Sequence, residues 1–130
     1  MIFSAQNEKE QETWRLILND RKTVTRRLKS LPVGKIIAVQ PGRGKKAICH
    51  CKIISCMLHQ TWLHSYIPSG LFTMNEEFIT DEDKTILKKE AKKEGFYTWE
   101  GLLQWFNEHD IDIMETYRLE LKRITSHTQR

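Results

Sequence analysis

The chain has no acidic residue anywhere between Arg21 and Asn75. Ten Lys and Arg fall in that stretch, all of them between Arg21 and Lys52. Solvated surfaces normally mix the two signs, so a one-sign stretch reads either as an anion-binding segment or as a basic loop. Long apolar runs are also missing, and none approaches the length of a membrane span. Cysteine is scarce, with three residues, and Met1-Ile2-Phe3-Ser4-Ala5 is too short for a secretory leader and is followed by charge. The expectation is a cytoplasmic, reduced protein with no membrane partner. A glycine-rich phosphate loop and a dinucleotide fingerprint are absent as well.

What is present suits one domain over residues 1–130, with a tail frayed from about Ser126. Four Trp, three Tyr and five Phe within a 39% hydrophobic composition can build a real core. Charge is unevenly spread. Residues 1–65 carry a formal +8 and residues 66–130 a formal −4, so one face is expected to be basic. A pI of about 9.0 agrees with a nucleic-acid partner but does not single one out.

Along the chain, Ile2-Phe3-Ser4-Ala5 reads as an opening strand. Asn7 with Glu10 reads as a capping box, and Trp14, Ile17 and Leu18 as the buried stripe of the helix that follows. Asn19-Asp20 ends that helix, since both residue types tolerate a left-handed exit. The basic run Arg21-Lys22-Thr23-Val24-Thr25-Arg26-Arg27 comes next. Ile36 to Val39 and Lys45 to Ser55 form a hairpin whose turn, Pro41-Gly42-Arg43-Gly44, brings Arg43, Lys45 and Lys46 together. Residues 56–75 read as an irregular packed loop. Thr80 caps a helix over 81–94 that Gly95 stops, and Thr98 opens another with Trp99, Leu102, Leu103 and Phe106 as its core stripe. Thr116 to Ile124 closes the chain as a half-exposed strand in which Arg118, Glu120 and Lys122 face outward. The order of elements is that of an α+β domain.

Among candidate residues, Glu94 says most. Leu87, Ala91 and Glu94 stand at i, i+4 and i+7, which turns this carboxylate inward at a helix C-terminus. Such a carboxylate needs a cation, and Lys22 or an arginine of the basic run can supply it. It is read either as a cleft acid or as half of a structural ion pair. A lysine beside Thr25 activates the hydroxyl if burial lowers the amine's pKa; a strict strand sends Lys22 and Thr25 to opposite faces, whereas a turn or helical bend puts them on one side. Cys49, Cys51, Cys56, His50 and His59 lack the usual zinc-knuckle spacing; Cys49 and Cys51 read as small core residues, and no metal or cofactor is expected. Tyr97, in the loop after Gly95, is a candidate cleft wall, and Trp62 and Tyr66 are candidate stacking residues.

Taken together, these residues resemble an ASCH domain. The family motif is Gly-x-Lys followed, after four residues, by Arg. Here Asp20-Arg21-Lys22 precedes Thr23 to Arg26 and then Arg27, with Asp20 in the glycine position. Glu90 to Phe96, followed by Thr98-Trp99-Glu100, is similar to the family's late helix pair. The resemblance implies a PUA-like fold, a small mixed β-barrel with flanking helices. It also implies a basic cleft for RNA or nucleotides, with Arg21, Arg26, Arg27, Arg43, Lys45 and Lys46 on phosphates and Tyr97 nearby. Some members remove acyl groups from N-acylated cytidine, and the matching trio here is Lys22, Thr25 and Glu94, as activator, nucleophile and acid. Ribonuclease activity is a lower-ranked alternative. An RNA or nucleoside ligand is therefore the expected partner of a chain assumed to be monomeric.

Overall fold

The structure, a computed structural model, describes residues 1–58, 81–109, 111 and 116–124, with backbone alone for 81–84. His59, Trp62, Tyr66, the Thr80 cap, most of the 56–75 loop and the 126–130 tail lie outside the described residues.

The first helix, α1 (Thr13–Leu18), starts later than the capping box suggested. Asn7 does not cap it. Its Oδ1 accepts the N–H groups of Lys9 and Gln11, both at 3.0 Å, and closes a turn in which Glu10 takes a φ of 60°. Short polar side chains offer the backbone this alternative to helix. The buried stripe shifts accordingly to Thr13, Leu16 and Ile17, and Leu18 is exposed. Ile2-Phe3-Ser4-Ala5 forms no full strand; a single parallel bridge joins Ile2 to Gln40.

Four strands follow: β1 (Val24–Arg27), β2 (Ile36–Val39), β3 (Cys49–Leu58) and β4 (Tyr117–Ile124). They make one antiparallel sheet in the order β1-β4-β3-β2, curled into a half-barrel. The β2–β3 hairpin forms as its turn residues predict, but its second strand begins at Cys49 and leaves Lys45 and Lys46 in the exposed connection. A register shift between Ile53 and Ser55 marks a bulge in β3, a common bending device in curled sheets. Phe3, Ile17, Val39, Ile53 and Leu119 belong to the core packed on the sheet.

Two helices complete the described fold, α2 (Asp81–Lys93) and α3 (Trp99–Glu108). Gly95 stops α2 at φ 92°. Any side chain there would meet Leu16 Cδ1 at 3.0 Å and Lys22 at 3.5 Å, so the glycine also lets the basic segment approach. Thr98 caps α3, its Oγ1 accepting the Gly101 N–H at 3.0 Å. Trp99, Leu102, Leu103 and Phe106 are buried as their spacing requires, in a second core with Leu87 and Ala91. The described fold is thus α+β. None of its helices is long and apolar enough to cross a membrane.

Candidate functional site

Strand pairing sets Arg26 of β1 directly opposite Arg118 of β4. Like charges in that relation repel. The helix α2 resolves the conflict by laying Glu90 between them. Arg118 donates to both Glu90 oxygens, at 2.6 and 2.9 Å, and Arg26 Nη2 donates to Glu90 Oε2 at 2.6 Å. Glu94, one turn further along the same helix face, faces Arg26 Nε at 2.7 Å through Oε1. Glu90, Glu94 and Arg118 are each no more than 3% exposed. Arg118 therefore departs from the half-exposed pattern expected for β4. Alternation placed it on the face away from Leu119, and α2 covers that face.

Glu94 is buried on a cation, as its helix phase predicted. Its carboxyl is raised above the ordinary range, chiefly by burial, while Arg26 draws it back down. Its second oxygen, Oε2, is buried and finds no hydrogen-bond partner among the described residues. Lys22 is also buried. Its Nζ donates to the carbonyls of Val24 at 2.7 Å and Glu94 at 2.8 Å. Burial lowers this amine from 10.5 to about 7; Glu94 pulls it up, and Arg27 and Arg26 push it down. A neutral amine has two N–H groups and one lone pair. The two carbonyls take both N–H groups, which leaves the lone pair unused.

The main-chain entry to this site depends on Asp20. It stands at φ 60°, the left-handed turn expected of it, and its carboxylate accepts two hydrogen bonds from Arg123, both at 3.0 Å. Those bonds hold the Asp20 carboxyl below its usual range.

Lys22, Thr25 and Glu94 all line one cavity of about 750 Å³. Lys22 lies in the irregular stretch before β1, so strand alternation does not govern it, and its side chain and that of Thr25 line the same cavity. Phe96, Leu102 and Phe106 give it apolar walls. Trp105 and His109, which the sequence did not single out, stack at 4.0 Å and also line it. The His109 ring meets the Trp105 carbonyl through Nδ1 at 2.8 Å.

The other predicted residues divide. Arg26, Arg27 and the unpredicted Lys29 line the cavity, although Arg26 is already engaged by two carboxylates. Tyr97 does not line it. Its hydroxyl donates to Gln11 and accepts from Arg21, its N–H donates to Glu8, and Lys9 lies over its ring at 3.9 Å. Arg43, Lys45 and Lys46 sit exposed on the hairpin turn and do not line it either. Of the cysteines, burial pushes Cys51 up to about 12, which keeps it a thiol, and the neighbouring His50 is exposed. Among the described residues no group of three or more His, Cys, Asp or Glu could hold a metal.

Comparison with family models, with curated proteins and with solved structures finds no match for this chain.

Proposed function

We propose that the protein is an ASCH domain of PUA-like fold that binds RNA or nucleotides by taking one base into the cleft beside Lys22 and Glu94. One observation carries this reading: Glu94 Oε2, at the wall of the cleft, is a buried acceptor without a donor among the described residues. Buried carboxylate oxygens are normally satisfied, and leaving one unpaired costs about 1–3 kcal/mol. A base edge bearing an N–H or an exocyclic amine supplies the missing donor. The cleft volume suits a ligand of that size, and the Trp105–His109 stack offers flat faces to a ring. Titration of cytidine and of a short single-stranded RNA into the parent and Glu94→Gln tests it. Glu94→Gln is expected to bind about tenfold more weakly, the effect of a lost charge-assisted hydrogen bond. Equal affinity in a folded variant excludes the assignment. RNA affinity should also fall steeply with salt.

A second reading, an amidohydrolase that deacylates N-acylated cytidine, is favoured by the near-neutral amine of Lys22 in the cleft that Thr25 lines. In it Thr25 Oγ1 attacks the acyl carbonyl and passes its proton to the Lys22 lone pair. The tetrahedral intermediate expels the cytidine amine, which takes that proton back from Lys22, with Glu94 as the orienting acid. Water then hydrolyses the acyl ester on Thr25 and releases the carboxylate. A chromatographic assay with N-acetylated cytidine is expected to show turnover by the parent and a loss of about a hundredfold or more in Thr25→Ala. Equal rates in the two proteins remove Thr25 from the role of nucleophile.

A further inference from the structure

Among the described residues the cleft is lined by four basic side chains, Lys22, Arg26, Arg27 and Lys29, and by one carboxylate, that of Glu94. Two of the four are engaged within the protein: Lys22 by backbone carbonyls, and Arg26 by Glu90 and Glu94. Arg27 and Lys29 have no carboxylate partner among the described residues.

Arg27 is half-buried, and burial lowers its pKa. Its guanidinium lies 4.6 Å from the Phe3 ring, and Nη2 donates to the Ile2 carbonyl at 3.1 Å. Those contacts fix the group without neutralising it. Its Nε is buried and without a hydrogen-bond partner among the described residues. A partly buried arginine with no counter-charge among the described residues is unfavourable, and a bound anion relieves it. Thr25 and Arg27 share one face of β1, and Lys29 follows two residues beyond the end of that strand.

We infer that Arg27 and Lys29 form an anion subsite of the cleft, and that the ligand is a nucleoside monophosphate rather than a bare nucleoside. This rests on the base-binding reading above. Two cations without a carboxylate partner among the described residues match the charge of about −1.5 to −2 on a phosphate monoester better than the single charge of a diester. Arginine's planar fork suits the phosphate oxygens, and the exposed Lys29 adds a point charge.

The experiment is calorimetric titration of cytidine, cytidine 5′-monophosphate, cytidine 3′-monophosphate and inorganic phosphate into the parent, Arg27→Gln and Lys29→Ala. At least one monophosphate is expected to bind the parent about tenfold more tightly than cytidine, as a charge-assisted contact implies. That ratio is expected to fall to about threefold or less in each variant, because each removes one cation. Lys29→Ala alters an exposed side chain, so a folding defect in Arg27→Gln leaves the test intact. If cytidine binds and neither monophosphate binds more tightly, the subsite is overturned and the base-binding reading stands. A ratio that survives both substitutions also overturns it, by placing the anion elsewhere. If no nucleoside binds but inorganic phosphate binds the parent and not the variants, the subsite stands and the base reading falls. If phosphate does not bind either, both fall.

Discussion

Two regions of this molecule are both basic in sequence and opposite in physical role. In the strand pair β1–β4, Arg26 and Arg118 are buried and hydrogen-bonded to acids of α2. On the β2–β3 turn, Arg43, Lys45 and Lys46 are solvated. A paired arginine in a low-dielectric setting positions other groups and cannot be removed cheaply, whereas a solvated lysine attracts anions from a distance and is nearly dispensable to the fold. Composition alone cannot separate these roles. The facing helix does so, because α2 brings its acids to one strand pair and not to the hairpin turn.

The sharpest way to break the contrast is to remove the shared acid. Glu90→Ala leaves Arg26 and Arg118 facing each other and should destabilise the fold by about 3–5 kcal/mol in a denaturant titration. The paired change Lys45→Ala with Lys46→Ala should stay within about 0.5 kcal/mol of the parent. If the two variants lose similar stability, the division between the regions fails.

Proton linkage at Lys22 gives an intermediate effect. Its folded pKa of about 7 lies below the unfolded value of 10.5. The unfolded chain then binds more protons between those two values, so folding stability gains from Lys22 as pH rises through that window, and its penalty is complete below about 7. The slope of stability against pH should therefore differ between the parent and Lys22→Met by up to about 1.4 kcal/mol per pH unit in that window, and little below it. Parallel curves contradict a buried Lys22. Neighbouring charges should move the same titration in opposite directions. Glu94→Gln removes an attraction and lowers the Lys22 midpoint; Arg27→Gln removes a repulsion and raises it. Any pH–rate profile controlled by Lys22 should follow those shifts.

The smallest effect belongs to the hairpin. Lys45→Ala with Lys46→Ala should weaken binding to all RNA sequences about equally and shallow the salt dependence by roughly one to two phosphate contacts. A change confined to one RNA sequence runs against a purely electrostatic role.

Much of the scaffold was legible because local rules and tertiary structure agree there. Gly95 as a left-handed stop, Thr98 as a cap, the Trp99–Phe106 stripe and the β2–β3 hairpin all follow from the residues themselves. Glu94 was legible through its phase with Leu87 and Ala91. Glu90 shares that face, four residues earlier, and the same argument reaches it. Arg118 was hidden for a different reason. Alternation separates the two faces of a strand but does not tell which of them a helix will cover. Asn7 misled because its side chain satisfies a turn as readily as it caps a helix. Trp105 and His109 escaped notice because only the buried stripe of α3 was used, and both lie beside it.

The most direct test of the account is the titration of the Lys22 side chain itself, followed by the NMR resonance of a labelled lysine ε-carbon and assigned with Lys22→Met. A midpoint near 7 in the free protein places the amine among buried, competing charges at the cleft, as proposed here. A midpoint at the ordinary lysine value of 10.5 contradicts it, because it would mean a solvated Lys22 and no enclosed site for a base.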